Sequence, residues 1–183
     1  LAGGQNSLTR RVDLVRVDLD DGMTRLHQLG SDNATGFLVL PDGEVVAQAN
    51  YDQESTVWRL QVRQTGGGWR EAYEVRAPLD TPNLGGLTAD GTGVLLEIWN
   101  EELQQWRYMT ISRDTLEVQE ASLPPDIFTV YNDSKRMIGH GHTAHITEYA
   151  FLDPAMIANW QRITAAMQGR QVTLVSMTPD LSR

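Results

Sequence analysis

Residues 40–46 read LPDGEVV, a Pro41-Asp42-Gly43 turn between two apolar runs, and the pattern returns three times along the chain. It reappears as TADGTGVLL at 88–96, YNDSKRMI at 131–138 and TPDLSR at 178–183, placing Asp42, Asp90, Asp133 and Asp180 48, 43 and 47 residues apart. An apolar pair follows each of the first three aspartates four and five residues on: Val46 and Ala47, Val94 and Leu95, Met137 and Ile138. Sixteen residues after those aspartates stand Trp58, Trp106 and Tyr149. A period of 43 to 48 residues with fixed internal offsets is the mark of a repeat architecture.

Each unit is built from strand-like runs. GFLVL, the Pro41-Asp42-Gly43 turn and EVVAQAN form a predicted hairpin, because β-rich runs meet at residues that tolerate turn geometry. VWRLQVRQ follows, with Trp58, Leu60 and Val62 on one face and Val57, Arg59, Gln61 and Arg63 on the other. Gly66-Gly67-Gly68 then turns the chain into WREAYEV, and LGGLTAD, GVLLEIWN, QWRYMTIS and LEVQEASL repeat the order. Four short strands per repeat predict β-propeller blades. A generic antiparallel sandwich with accidental spacing is the competing reading.

The expected fold is therefore all-β, mainly antiparallel: a partial β-propeller of about three four-stranded blades plus part-blades, in one unit spanning 1–183. Its pieces are a part-blade at 1–30 holding the last two strands of a blade, blades at 34–76, 84–123 and 126–177, and the start of another at 174–183. The ends suggest a segment of a longer propeller. One helix interrupts the third blade near 154–168: Asp153 suits the N-cap, Pro154 the first helical position and Gly169 the close. Met156, Ile157, Trp160, Ile163 and Met167 form its apolar stripe, and QVTLVSM is expected to supply the outer strand after it.

A formal charge of −9 and a pI near 4.8 argue against nucleic acid, whose affinity comes largely from neutralised phosphates. The chain has no cysteine, which excludes disulfides and thiolate metal sites and leaves cytoplasm and periplasm equally open. No apolar run is long enough to span a bilayer.

The chemistry-bearing candidates are few. His140, His142 and His145 are spaced H-x-H-x-x-H, and they are the candidate metal ligands. In an extended strand His140 and His142 share a face and His145 does not. Within the repeat these histidines decorate the second-to-third strand connection of a blade, and no metal or other cofactor is expected. Asp20-Asp21, Glu101-Glu102 and Asp52 with Glu54 resemble acid/base pairs, but all fall in predicted turns, and DLDDG lacks the twelfth-position glutamate of an EF-hand. Trp58 and Trp106 recur at one offset and are expected to pack between blades, whereas Trp99 ends a strand before a polar loop and is the candidate ligand contact.

The order ADG, LLEIWN, QWRYMTIS, followed by ITEYAFLDPAMIANWQRITAAMQGRQVTLVSMTPDLSR, resembles the propeller region of bacterial prolyl oligopeptidase-family serine peptidases, including acylaminoacyl-peptidase-like members. The block from Tyr149 to Arg183 carries it most specifically. The resemblance implies a C-terminal α/β-hydrolase domain with a Ser-Asp-His triad as partner, and peptide substrates reaching it past the propeller. None of the eight serines here stands in a G-x-S-x-G elbow, so no catalytic residue is assigned and the chain is expected not to be an enzyme by itself. The expected function is a non-catalytic segment that gates or docks peptides. The alternative is a stand-alone binding module for a protein or glycan. Edge strands at the two ends predict edge-to-edge self-association.

Overall fold

The structure, a computed structural model, describes residues 2–5 and 12–178. Its strands fall into four separate antiparallel sheets, each an up-and-down meander in chain order. The first sheet holds β1 (Ala2–Gln5), β2 (Val12–Val17) and β3 (Thr24–Gln28). The second holds β4 (Ala34–Val39), β5 (Val45–Asp52), β6 (Val57–Arg63) and β7 (Trp69–Arg76). The third holds β8 (Asn83–Leu87), β9 (Gly93–Asn100), β10 (Gln105–Ser112) and β11 (Val118–Glu120). The fourth holds β12 (Ile127–Tyr131), β13 (Met137–Thr143) and β14 (Thr147–Phe151), followed by helix α1 (Pro154–Ala166). The described sheets do not close into a ring.

The repeated turn joins the first two strands of the second, third and fourth sheets. At 40–44 the Asp42 carboxylate accepts the Glu44 N–H at 2.9 Å and Gly43 takes φ of 94°, a left-handed value that glycine adopts without a steric penalty. At 88–93 Asp90 accepts the Thr92 N–H at 3.0 Å with Gly91 at φ 78°. In the third copy the roles move: Asn132, not Asp133, accepts a backbone N–H, from Arg136 at 3.0 Å, and Lys135 takes the positive φ of 60°. The fourth copy, at Asp180, lies outside the described residues.

Apolar alternation then packs the sheets face to face. Val46, Trp58, Leu60 and Val62 from the second sheet share one buried cluster with Leu87, Val94, Leu96 and Ile111 from the third. On the opposite face of the third sheet, Leu95 and Tyr108 pack with Met137, Ile127 and Tyr131 of the fourth. Strand β9 is thus buried on both faces, which explains its unbroken apolar run Val94-Leu95-Leu96. Tyr131 fits because β8 offers Gly85 and Gly86 beneath it. A Cβ on either glycine would come within 2.4 Å of the tyrosine.

Polar bonds lock the tight-turn ends together. The buried Arg113 donates from Nε to the Arg63 carbonyl at 3.0 Å and reaches Glu44 at 3.5 Å. Asp114 accepts the Thr65 N–H and the Gln64 amide. Leu87 N–H donates to the Lys135 carbonyl at 2.7 Å, joining the third and fourth sheets.

The structure corrects two expectations. The first sheet holds three described strands instead of two, because Ala2–Gln5 pairs antiparallel with β2. Of the apolar stripe on α1 only Met156 is buried, while Ile157, Ile163 and Met167 are exposed. The helix itself begins as anticipated, with Asp153 capping the Met156 N–H at 2.9 Å. Most consequentially, residues 171–177 form no strand. Helix α1 packs beside β14 through Trp160, whose ring meets Tyr149 at 5.0 Å and Phe151 at 5.5 Å. The chain leaving the helix is carried over Tyr149, whose hydroxyl accepts the Leu174 N–H at 3.2 Å, so β14 keeps an outer edge without a strand partner among the described residues.

Candidate functional site

Within each meander the connections alternate ends. Tight hairpins such as 40–44, 64–68, 88–93 and 132–136 occupy one end, and the connections 77–82, 101–104 and 144–146 occupy the other. At this second end two leucines project into water. Leu79 is 90% exposed between Pro78 and Pro82, and Leu103 is 54% exposed in the adjoining connection. Proline on both sides stiffens the first of these loops, so Leu79 is held out in water by the backbone.

These connections border a cavity of about 460 Å³, with Pro78, Leu79, Asp80, Pro82, Trp99 and Glu101 among its walls. Trp99 lies directly opposite Trp106 in the β9–β10 register, and their rings meet edge to face at 5.6 Å and 68°. Trp106 therefore braces Trp99 within one sheet, correcting the expectation that it packs between neighbouring sheets. Trp58 behaves differently at the same repeat offset: it is 2% exposed inside the core between the second and third sheets.

The histidines spread along the neighbouring sheet. His140 lies on β13 opposite Thr129 and Ala150, partly buried, and its buried Nδ1 has no hydrogen-bond partner. His142 lies two residues on, opposite Ile127 and Glu148, and is exposed. His145 is exposed in the turn before β14. Among the described residues no three histidine or carboxylate side chains come together in a group able to hold a metal ion. Pairing with β12 and β14 keeps β13 extended through Thr143, and no bend gathers the ligands.

The aspartates of the 18–23 and 52–56 turns serve the backbone. Asp21 accepts the Met23 N–H at 2.8 Å, Asp18 the Asp20 N–H, and Asp52 the Glu54 N–H together with the Ser55 hydroxyl. The Ser55 hydroxyl first, then the Glu54 N–H, holds the Asp52 carboxyl below its ordinary value, the reverse of what a general acid requires. Gly66-Gly67-Gly68 is a hairpin turn closed by the Gln64 N–H on the Gly68 carbonyl. The one strongly perturbed group is structural. Tyr108 donates to the Ile127 carbonyl at 2.8 Å and lies 3.2 Å from Glu97, and burial, then the Glu97 charge, pushes its phenol far above the usual range.

Sequence reasoning named Trp99 as a candidate contact but named neither Leu79 nor the cavity that both line. The signal was the flanking Pro78 and Pro82, which mark a loop that cannot fold back into the sheet. Comparison of the chain with known protein families, with curated proteins and with solved structures finds no match.

Proposed function

We propose that the chain is a non-catalytic propeller segment of a prolyl oligopeptidase-family serine-peptidase-like protein, gating or docking peptides for a hydrolase domain elsewhere in its parent. The observation that carries this reading is the run of meanders at one repeat period, packed face to face in chain order. Such a stack is how blades bury both faces of a sheet. The loop end with Leu79, Leu103 and Trp99 is where an extended peptide would rest, with Asp80 and Glu101 favouring basic side chains.

The test is twofold. The chain alone should neither turn over aminoacyl or peptidyl esters nor be labelled by a fluorophosphonate, and the parent reading frame should hold a G-x-S-x-G elbow with later Asp and His. A labelled serine in this chain, or a parent frame without the elbow, overturns the reading. Fluorescence anisotropy with labelled basic-apolar peptides should show binding that Leu79→Asp weakens several-fold.

The braced Trp99–Trp106 pair favours a second reading, a stand-alone module for a protein or glycan, since a fixed indole suits sugar stacking. Saturable binding of neutral oligosaccharides with none of peptides would select it. The open outer edge of β14 also supports self-association between copies. Light scattering should then show concentration-dependent dimers, and a monomer at every concentration counts against it.

A further inference from the structure

The fourth sheet differs from its neighbours by one insertion, α1 and the segment that leaves it. Together they line an open-sided cavity of about 650 Å³, within the range of small-ligand sites. Its walls are mostly apolar: Trp160, Ile163, Leu174 and Met177 face it, and Trp160 is held in place from behind by Tyr149 and Phe151. Asn159 and Ser176 add neutral hydrogen-bonding groups. Among the described residues Arg162 is the only charged side chain on the lining, and it has no ion pair with any of them. In a chain of net charge −9, a guanidinium as the one described charge on the lining favours an anion there.

We propose that this cavity binds an aliphatic monocarboxylate, its hydrocarbon chain on Trp160, Ile163 and Leu174 and its carboxylate on Arg162. Guanidinium matches a carboxylate with two parallel N–H donors, a fit that neither an alcohol nor an amine reproduces. The apolar wall supplies the remaining affinity through buried hydrocarbon. Ile163 is 46% exposed, so its side chain is accessible to a ligand on this wall. The site is separate from the loop end at Trp99, and the proposal does not depend on the peptide-docking reading.

Isothermal titration with decanoate, below its micellar concentration, tests the assignment against decanol, decylamine and acetate. Decanoate should bind saturably, at least about tenfold more tightly than any of the other three, since one charge-assisted contact is worth about that factor. Arg162→Gln should remove that advantage and leave decanol unchanged. Ile163→Glu should abolish decanoate binding and create binding of decylamine. Circular dichroism of both variants should match the parent, since both positions are accessible to water. Equal affinity for decanoate and decanol, decanoate binding that Arg162→Gln leaves intact, or no saturable binding overturns the proposal.

Discussion

At the scale of single residues, one repeat position illustrates what a pattern conveys. Trp58, Trp106 and Tyr149 share an offset, yet the first is sealed in the core, the second braces Trp99 and the third supports α1. The offset marks an aromatic facing a neighbour, and the neighbour decides its task. Tyr131 and the Gly85-Gly86 pair were invisible as partners because they are far apart in sequence and meet only when the third and fourth sheets pack. Gly86→Ala should lower stability by about 1–3 kcal/mol, because its Cβ would also come within 2.6 Å of the Lys135 carbonyl, which cannot swing away. An unchanged denaturant midpoint would show that the sheets do not meet there. Tyr108 gives a pH prediction. Its folded pKa lies above the unfolded value of about 10, so its contribution is complete below that pH and is lost as pH rises towards the folded value. Tyr131 is shifted the same way by burial, and the chain has a single lysine, so tyrosines should dominate alkaline unfolding. Stability should fall steeply above about pH 10, and Tyr108→Phe should flatten that fall while lowering neutral stability by about 1–2 kcal/mol through the orphaned Ile127 carbonyl. Denaturant titrations across that pH range would measure both.

At the scale of elements, turns and caps were legible because their chemistry is local. Asp42, Asp90 and Asp153 each bind a backbone N–H two or three residues ahead, which a short window of sequence contains. What α1 would pack against was not legible. Its apolar stripe is a property of the helix, but burial of that stripe depends on how the chain leaves β14. The same limit explains residues 171–177: Val172, Leu174 and their neighbours have strand composition, yet Trp160 fixes the helix beside β14 and the Leu174 N–H goes to the Tyr149 hydroxyl instead of the open β14 edge. The cap is testable separately from the packing. Asp153→Ala should reduce stability by about 1 kcal/mol, seen as a lower thermal midpoint with loss of helical signal before the sheets melt. A simultaneous loss of both signals would mean that α1 is integral to the fourth sheet.

At the scale of the whole molecule, the period fixed the number and order of meanders but could not show what couples them. Apolar faces alone would let neighbouring sheets slide, since hydrophobic packing has little directional preference. Direction comes from bonds at the tight-turn ends, and Arg113 is the main one between the second and third sheets. Its guanidinium is buried, donates to the Arg63 carbonyl and faces Glu44 at 3.5 Å, while Glu44 remains more exposed. Nothing in the sequence singles out Arg113 from the other arginines, because its partners lie 50 and 69 residues away. Arg113→Ala should therefore weaken the coupling more than any surface ion pair would, by about 1–3 kcal/mol, since it takes the Nε donor from the part-buried Arg63 carbonyl. Glu44→Gln keeps a partner for the guanidinium and should lower stability by less than about 1 kcal/mol. If the two sheets are held in register this way, hydrogen exchange in Arg113→Ala should rise together on β6 and β10 while β13 stays protected. A rise confined to β10 would mean that the second and third sheets are coupled through the Val46, Trp58, Leu96 and Ile111 cluster instead.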